Sequence, residues 1–436
     1  MPTFSGTFEH RAADGTAQSS SCRLSFDEES FRLVTDKGPG PAFDLGDIDV
    51  VDAGDYQLSL KVYDGTTILL NQFGKTFQNL RHDLLESWHR RVVQCLLLED
   101  LQEITRLDGF AQLDSAERKF SSPAEIRLYR SNLAILPSTA TAFQWRLADI
   151  DMVDFDHATY TLGLRSGMDR LILTRLAKRT REFVGQLRDA MEAAADKTAR
   201  VIHALFPFLS PDQFCQVSAF MKDGRTIPVS QLVAINPLTE KALAQNAIST
   251  ALKPYFNALK RQAAGPGCYT GFKLIRKEDE EKPDEESAPE AQQNAAADAA
   301  AEAPLLDLGD ESLLCWFFFP LQSASARSGH ADLVAWECTS QAGRATYVFR
   351  LVGTGQPAQI DDAVQRLNRG IVMVNFRREP IYLSNSALEV QPRYRRYAIA
   401  QRNIAALRQV RQSLVGRAIH TSVDAWQSQL EGLTRQ

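Results

Sequence analysis

The sequence has few histidines and cysteines, and neither type is clustered. Seven histidines and six cysteines are spread over 436 residues without a C-x-x-C pair or a disulfide-like spacing. Only His82 and His89 lie close in the chain, and two turns of a helix would hold them too far apart to share one small ion. We therefore expect no bound metal and no cofactor, and we interpret the cysteines as reduced thiols.

Sequence motifs of catalysis and nucleotide binding are also missing. The chain contains no G-x-S-x-G motif and no phosphate-binding glycine pattern, neither G-x-x-x-x-G-K-[ST] nor G-x-G-x-x-G. Asp47 with Asp49, and Asp149 with Asp151, are paired carboxylates, but two such residues on a strand would share its polar outer face. We name no catalytic residue, and this acidic strip could instead be a partner surface.

Long apolar segments are absent as well. No apolar run approaches the ~20 residues that cross a bilayer, and the first residues, MPTFSGTFEHRAADG, lack the basic and apolar regions of a signal peptide. The net charge of -5 provides no overall attraction to nucleic acid or to anionic membranes. We expect a soluble cytoplasmic protein without a transmembrane segment.

What the sequence does contain is an internal duplication. A set of mainly apolar positions in the first hundred residues recurs at an offset of 102. The matched pairs are Phe8 and Phe110, Leu24 and Ile126, Phe26 and Leu128, Phe31 and Leu133, Leu33 and Ile135, Phe43 and Trp145, Leu45 and Leu147, Asp47 and Asp149, and Ile48 and Ile150. Because the shared positions are mostly apolar, the duplication indicates a repeated core.

Each copy changes its hydrophobic period once. Apolar and polar residues first alternate with period two, which predicts antiparallel strands with one face on a core. The period then becomes that of an amphipathic helix, at Phe77, Leu80, Leu84, Leu85, Trp88 and Val92 in the first copy and at Leu176, Phe183, Leu187 and Met191 in the second. Each copy is therefore predicted to be a meander of six or seven strands followed by one helix.

This element order, together with the phrases FDLGDIDVVDAGDYQLSL and WRLADIDMVDFDHATYTLGL, resembles the pleckstrin-homology-like (PH-like) superfold, which includes GRAM domains. The resemblance covers residues 4–200 and implies two tandem open β-barrels, each closed by its C-terminal helix. It also implies ligand binding through loops or a sheet edge. In this superfold inositol-lipid binding uses basic residues of the first hairpin. We take Asp27–Ser30 as that hairpin turn in repeat one, and its acidic residues argue against inositol-lipid binding there. Arg127 and Arg130 of repeat two are too few for such a site.

The rest of the chain is predicted to contain a helical connector and an α+β domain. The boundaries are 1–103 and 104–200 for the PH-like domains, 201–264 for the connector and 265–436 for the C-terminal domain. Ser210-Pro211-Asp212 is typical of a helix start, and residues 239–261 have helical period. Four β-rich runs, near Phe272 and over 314–319, 333–337 and 345–351, predict a four-stranded antiparallel sheet. Helices are expected over 360–376 and, as one or two elements, over 394–429.

An acidic segment interrupts the C-terminal domain. Residues 277–312 are rich in Ala, Glu and Pro over most of their length, and such a composition buries too little apolar surface to offset the entropy of ordering. We expect a disordered insertion between the first two strands of the domain.

The C-terminal region is rich in arginine and lacks acidic residues between Glu389 and Asp424. The candidate anion-binding residues are Arg393, Arg395, Arg396, Arg402, Arg408 and Arg411. Three interpretations remain open: a solvated helix face, a dock for acidic groups within or between chains, and a contact with nucleic acid or anionic lipid. We expect the acidic residues of 278–290 to compete with an external polyanion for the first four arginines.

From these patterns we expect a non-catalytic cytoplasmic protein that binds or scaffolds protein partners through PH-like domains. One alternative is an enzyme with a pocket in the C-terminal domain, which would be formed by Trp316, Trp336, Glu337 and Arg344. The other alternative is a polyanion binder that uses the arginine-rich C-terminal helix.

Overall fold

The computed structural model describes residues 3–98, 101–264, 267–276, 311–326, 330–339, 345–351 and 357–435. Within them the fold is mixed α+β, with two seven-stranded antiparallel sheets and one six-stranded antiparallel sheet. The chain divides into two compact units. Unit one comprises Met1–Met191 and Asn385–Ile404, and unit two comprises Glu192–Ser384 and Ala405–Gln436.

The first sequence copy, repeat one, is a seven-stranded sheet followed by a helix. Strands β1 to β7 span Thr3–Arg11, Ala17–Phe26, Ser30–Thr35, Gly38–Asp44, Ile48–Gly54, Gln57–Val62 and Thr67–Asn71, and helix α1 spans Phe77–Cys95. The strand order is β4-β3-β2-β1-β7-β6-β5, which leaves β4 and β5 at the two edges. Trp88 of α1 packs on the inward-facing side chains of the sheet, such as Leu24 and Leu58.

Repeat two has the same topology. Strands β8 to β14 span Glu103–Asp114, Lys119–Tyr129, Asn132–Pro137, Phe143–Arg146, Met152–Asp156, Thr161–Ser166 and Asp169–Thr174, and helix α2 spans Thr180–Leu205. The strand order, β11-β10-β9-β8-β14-β13-β12, matches that of repeat one strand for strand. Met191 of α2 packs on the core of repeat two, as Trp88 does in repeat one. The predicted duplication of strands and helix is confirmed.

The two repeats contact each other through the end of α1. Val93 and Leu96 share an apolar cluster with Tyr129 and Leu136 of repeat two. The Gln144 amide donates a hydrogen bond of 2.6 Å to the Leu96 carbonyl. This apolar contact buries side chains from both copies in unit one.

Unit one also contains two short helices from the C-terminal part of the chain, and unit two contains the third sheet and the remaining helices. Helices α3 to α8 span Pro211–Phe220, Val229–Ile235, Leu238–Asn246, Lys253–Gln262, Pro357–Met373 and Glu379–Tyr382. Helices α9 and α10 of unit one span Asn385–Val390 and Arg395–Asn403, and helices α11 and α12 of unit two span Ala405–Ser413 and Val423–Thr434.

The third sheet has six strands in sequential order. Strands β15 to β20 span Thr226–Pro228, Tyr269–Arg276, Glu311–Leu321, Leu333–Cys338, Ala345–Arg350 and Leu414–Ile419. Its core includes residues of 201–264, the predicted connector, packed with Phe317 and Trp426. The helix start at Ser210 is confirmed, because its hydroxyl accepts from the Gln213 amide in a capping box. The 239–261 segment forms two helices, and Pro254 lies in the first turn of the second.

The prediction of a four-stranded third sheet was wrong. It missed β15, which has three residues, and β20, whose Leu414 continues the helical spacing of Leu407 and Val410. Cross-strand pairing with β19 makes that segment a strand, so the 394–429 region is not one or two helices. Glu311 and Ser312, assigned to the disordered insertion, lie in β17, while the predicted insertion over 277–310 lies outside the described residues.

A second correction concerns the first hairpin of repeat one. Its turn connects Arg11 to Ala17, and the acidic residues Asp27–Ser30 form the turn between β2 and β3. The polar stretch Gln18–Ser21 conceals the alternation of β2 in the sequence. Over the residues described, no helix combines the length and apolar character that crossing a membrane requires.

Candidate functional site

The most developed polar site lies in unit one, where helix α10 contacts repeat one. We call α10, Arg395–Asn403, the arginine helix. Its middle residues, Tyr397, Ala398, Ile399 and Ala400, are buried, and it ends where the Ile404 amide donates to the Ala400 carbonyl. Arg395 and Arg402 flank this buried stretch and are partly exposed.

The surface that receives the arginine helix is a short 3-10 turn, Leu45–Asp47, between β4 and β5. The Asp44 carboxylate caps this turn and accepts a hydrogen bond of 2.8 Å from the Gly46 amide. The Asp47 carboxylate in turn accepts from the Asp44 amide at 3.3 Å. The expectation that Asp47 lies on the outer face of a strand was therefore wrong, because this capping box turns its side chain inward, where it is 4% exposed.

Two arginines converge on this one buried carboxylate. Arg395 Nη2 donates to both Asp47 oxygens, at 3.0 and 2.8 Å, and Arg402 Nη2 donates to Oδ1. The Arg402 guanidinium also lies 3.7 Å from the ring centroid of Tyr63, in the turn between β6 and β7. Charge-assisted bonds and ring stacking are the contacts for which arginine is best suited.

A third arginine holds the turn from the inside. Arg91 of α1 binds the Asp44 carboxylate with two hydrogen bonds, of 2.9 and 2.6 Å, and it also binds Glu29 at 2.9 Å. Burial acts to lower the pKa of Arg91, but the hydrogen bonds and charges of Asp44 and Glu29 outweigh it and raise the pKa. The charged Arg91 guanidinium thus links α1 to the residue that caps the turn.

Close packing at Gly46 completes the contact. A Cβ atom at this position would lie 2.8 Å from Cys95 Sγ and 2.9 Å from Ile399 Cδ1, so a side chain here would require Cys95 or Ile399 to shift. Burial raises the pKa of Cys95 to about 12 and keeps it a neutral thiol. Asp49 lies next to this contact. Burial raises the pKa of its carboxyl group, the positive charge of Arg402 opposes this rise, and the negative charge of Asp47 adds to it.

Two other candidate arginines lie in or beside the arginine helix and stack on neighbouring rings. The Arg393 guanidinium is 4.6 Å from the ring centroid of Tyr394, and that of Arg396 is 5.0 Å from the ring centroid of Tyr397. Arg396 Nη2 also donates to the Tyr397 hydroxyl at 3.2 Å. These contacts confine both guanidinium groups next to their own helix.

The last two candidates belong to unit two. Arg411 donates hydrogen bonds to the carbonyls of Pro380 and Leu383, the second at 2.7 Å, and so ties α11 to the end of α8. Arg408 is exposed on α11. The structure therefore brings Arg395 and Arg402 together on one carboxylate and distributes the other four elsewhere. The acidic residues 278–290 lie outside the described residues.

Repeat two carries a modified version of this turn. Asp149 lies in the equivalent 3-10 turn, Leu147–Asp149, but Arg146 and Ala148 stand where repeat one has Asp44 and Gly46. Arg146 provides no capping carboxylate, and Ala148 adds a methyl group at the position where, in repeat one, a Cβ atom would lie 2.9 Å from Ile399 Cδ1. Sequence reasoning missed the site, yet a signal was present, because two of the three differences between the phrases FDLGDID and WRLADID fall at Asp44 and Gly46.

The pocket residues expected for an enzyme lie in a filled interior of unit two. The Trp316 and Trp336 side chains are fully buried. The buried Glu337 carboxylate accepts a hydrogen bond of 2.6 Å from Thr346 and lies 3.2 Å from His420 Nε2. Arg344 lies outside the described residues. In the part of the chain that is described, no group of three or more His, Cys, Asp or Glu side chains could hold a metal ion.

Comparisons with known proteins assign no family to this chain. No family model matches it, and no curated protein matches it at a significant level. Among solved structures, the C-terminal domain of an unknown protein from Leishmania infantum is 9% identical and has a TM-score of 0.20, with 24% of this chain and 98% of that chain covered. The linker-DH/PH domains of p115-RhoGEF, N-terminally truncated, are 6% identical with a TM-score of 0.17, covering 27% of this chain and 45% of that one. Neither similarity carries an argument about function.

Proposed function

We propose that this chain is a non-catalytic binding or scaffolding protein of the cytoplasm, and that its two seven-stranded domains are PH-like modules that recognise protein segments. The topology of seven strands followed by one helix, found in both repeats, supports the PH-like interpretation. The ligand chemistry that we propose for repeat one is an arginine-bearing helix.

One observation carries this proposal: a single buried carboxylate, Asp47, binds two arginines of a helix that is distant in sequence. The helix contributes the buried Ile399 side chain, and repeat one contributes a turn whose Gly46 leaves room for it. Apolar burial with charged pairs at its margin is the usual construction of a helix-binding surface. Repeat one thus has the features of a recognition module whose ligand is supplied by its own chain.

The contacts weigh against both alternatives. For an enzyme, a site around Trp316 and Glu337 would need an open pocket, whereas these side chains are buried and packed. The surface cavity of 640 Å³ in unit two is lined by Pro254, Asn257, Lys260, Arg261 and Val423, without a carboxyl, thiol or imidazole group. For a polyanion binder, Arg395 and Arg402 would first have to leave Asp47.

The proposal is tested by supplying the helix in trans. The full-length variant Arg395→Ala/Ile399→Glu/Arg402→Ala should release its own helix, because it loses both Asp47 contacts and buries a charge. A fluorescent peptide of residues 385–404 should then bind this variant, as measured by fluorescence anisotropy, and should bind wild type much more weakly.

Adding Asp47→Asn to the same variant is the matched control, and it should abolish peptide binding. Asp149→Asn, in the equivalent turn of repeat two, should leave peptide binding unchanged. A peptide that fails to bind the released variant, or that binds regardless of Asp47, would contradict a recognition role for repeat one.

A further inference from the structure

Three residues of the arginine helix contact repeat one, and their spacing places them on one side of the helix. Arg395, Ile399 and Arg402 stand at positions i, i+4 and i+7. At 3.6 residues per turn these positions fall within about 60° around the helix axis. A shift of one position along the helix would rotate a side chain by about 100° and carry it away from the contact.

The two arginines reach Asp47 from opposite ends of the helix. Their Cα atoms are separated by about 10 Å along the axis, because each residue of a helix advances by about 1.5 Å. Both guanidinium groups nevertheless bind the same carboxylate, since Arg395 Nη2 donates to both Asp47 oxygens and Arg402 Nη2 donates to Oδ1. Two long side chains converge in this way only from one side of the helix, so the contact depends on the spacing of seven positions.

An aliphatic side chain separates the two arginines. Ile399 is fully buried, and its Cδ1 atom approaches Gly46 so closely that a Cβ atom there would lie 2.9 Å away. An apolar side chain at this position excludes water from the turn that carries Asp47, and hydrogen bonds are stronger in apolar surroundings. The isoleucine therefore supports both arginine contacts besides adding its own buried area.

The two arginines have different second partners. The Arg402 guanidinium lies 3.7 Å from the ring centroid of Tyr63, whereas Arg395 Nε lies 4.0 Å from the Asp44 carboxylate. A lysine could supply the charge of Arg402, but it lacks the planar group that stacks on a ring. The surface thus distinguishes arginine from lysine at the second position of the pattern.

Repeat two keeps the carboxylate of this surface but not the groups around it. Asp149 lies in the equivalent 3-10 turn, where arginine and alanine replace the capping aspartate and the glycine of repeat one. The register of β6 and β13 places Gly167 where repeat one has Tyr63. The spacing of the arginine helix therefore matches the groups of repeat one and not those of repeat two.

We propose that repeat one selects helices of partner proteins by this pattern: an arginine, a branched aliphatic residue four positions later, and a second arginine three positions after that. The occupant is argued from the helix that this surface holds and from the match of one buried carboxylate to two guanidinium groups. The arginine helix acts as an internal competitor that a partner helix displaces. This inference rests on the proposed binding role and adds the residues by which a partner is recognised.

The test uses the full-length variant Arg395→Ala/Ile399→Glu/Arg402→Ala, whose own helix is released, and synthetic helical peptides of about 18 residues. The host peptide is rich in alanine and glutamine and carries only the two arginines and the isoleucine of the pattern. Fluorescence anisotropy should show that it binds within about tenfold of the peptide of residues 385–404. Moving the isoleucine, or the second arginine, by one position keeps the composition and should weaken binding about tenfold or more, because that side chain leaves the contact.

Tyr63→Ala in the released variant tests the second arginine separately. It should weaken binding of the host peptide severalfold and should not affect a host peptide with lysine as the second basic residue, which already binds more weakly. Asp149→Asn in repeat two is the matched control and should leave every affinity unchanged. Circular dichroism establishes that each variant is folded, and Ile399→Ala alone replaces the triple variant if that variant is not, with the same ranking of peptides expected.

Equal binding of the host peptide and of the two peptides with a moved residue would overturn the inference. A host peptide that does not bind, although the peptide of residues 385–404 does, would also overturn it, because other residues of that segment would then determine recognition. Both results leave the proposed binding role in place. Failure of the 385–404 peptide itself would instead contradict that role, so the two failures are distinguishable.

Discussion

At the scale of single residues, Trp88 joins the helix of repeat one to its sheet. The side chain is buried, and its Nε1 donates a hydrogen bond of 3.0 Å to the Ile48 carbonyl. We predict that Trp88→Ala lowers the unfolding free energy of unit one by about 3–5 kcal/mol, because it leaves a cavity and an unpaired carbonyl. Trp88→Phe should cost much less. Chemical denaturation, monitored by hydrogen exchange of amides in unit one, measures the unfolding free energy of both variants. A decrease of less than about 1 kcal/mol for Trp88→Ala would place the side chain at the surface.

Glu125 gives a pH-dependent prediction at the same scale. Its carboxylate lies 3.4 Å from His89 and 2.5 Å from Arg127. Burial acts to raise the pKa of Glu125, but His89 and Arg127 outweigh it and lower the pKa from 4.5 to about 2. A carboxyl group with a depressed pKa stabilises the fold above its unfolded pKa, and that stability is lost as the pH falls towards the folded pKa.

We therefore predict that Glu125→Gln destabilises unit one by about 2–3 kcal/mol at neutral pH. The difference from wild type should shrink as the pH falls from about 5 to about 2, because the wild-type carboxyl group becomes protonated over that range. Denaturation at several pH values measures this difference, and a cost that is constant with pH would show that the charge of Glu125 is not responsible.

At the scale of elements, the 3-10 turn of repeat one and the arginine helix depend on the space at Gly46. We predict that Gly46→Val displaces the arginine helix, because its side chain would meet Cys95 and Ile399. Limited proteolysis should show faster trypsin cleavage after Arg395 and Arg402. Ala148→Val is the matched change in repeat two and should leave this cleavage rate unchanged. Equal cleavage of both variants and wild type would contradict the packing argument.

Secondary structure is predictable from the sequence where the apolar residues follow one clear period. It is poorly predictable where contacts between distant parts of the chain determine whether a segment is a helix or a strand. Most strands of the two repeats follow from alternation, although Gln18–Ser21 conceal it in the first half of β2, and α1 follows from the spacing of its apolar residues. Strand β20 does not, because Leu414 fits a helical stripe until β19 pairs with it. Asp47 was recognised as duplicated, but its partners Arg395 and Arg402 lie about 350 positions away. No local pattern contains that pairing.

At the scale of the whole molecule, unit two should tolerate removal of the acidic segment. Strands β16 and β17 pair up to Arg276 and Glu311, so their ends already lie side by side. We predict that replacing residues 278–309 by a short glycine-rich turn leaves the melting temperature of unit two unchanged or slightly raised, because a shorter loop costs less closure entropy. Calorimetry measures this, and a clearly lower melting temperature would show that the segment contributes to the fold.

The central claim is that repeat one holds the arginine helix through Asp47, and hydrogen–deuterium exchange of residues 395–403 tests it most directly. Removing one partner of a buried charge pair costs about 3 kcal/mol, so Asp47→Asn should accelerate exchange of these amides by roughly a hundredfold. Asp149→Asn, the same change in repeat two, should leave their exchange at the wild-type rate. Equal exchange rates of the 395–403 amides in wild type and in both variants would contradict the claim that Asp47 holds the arginine helix.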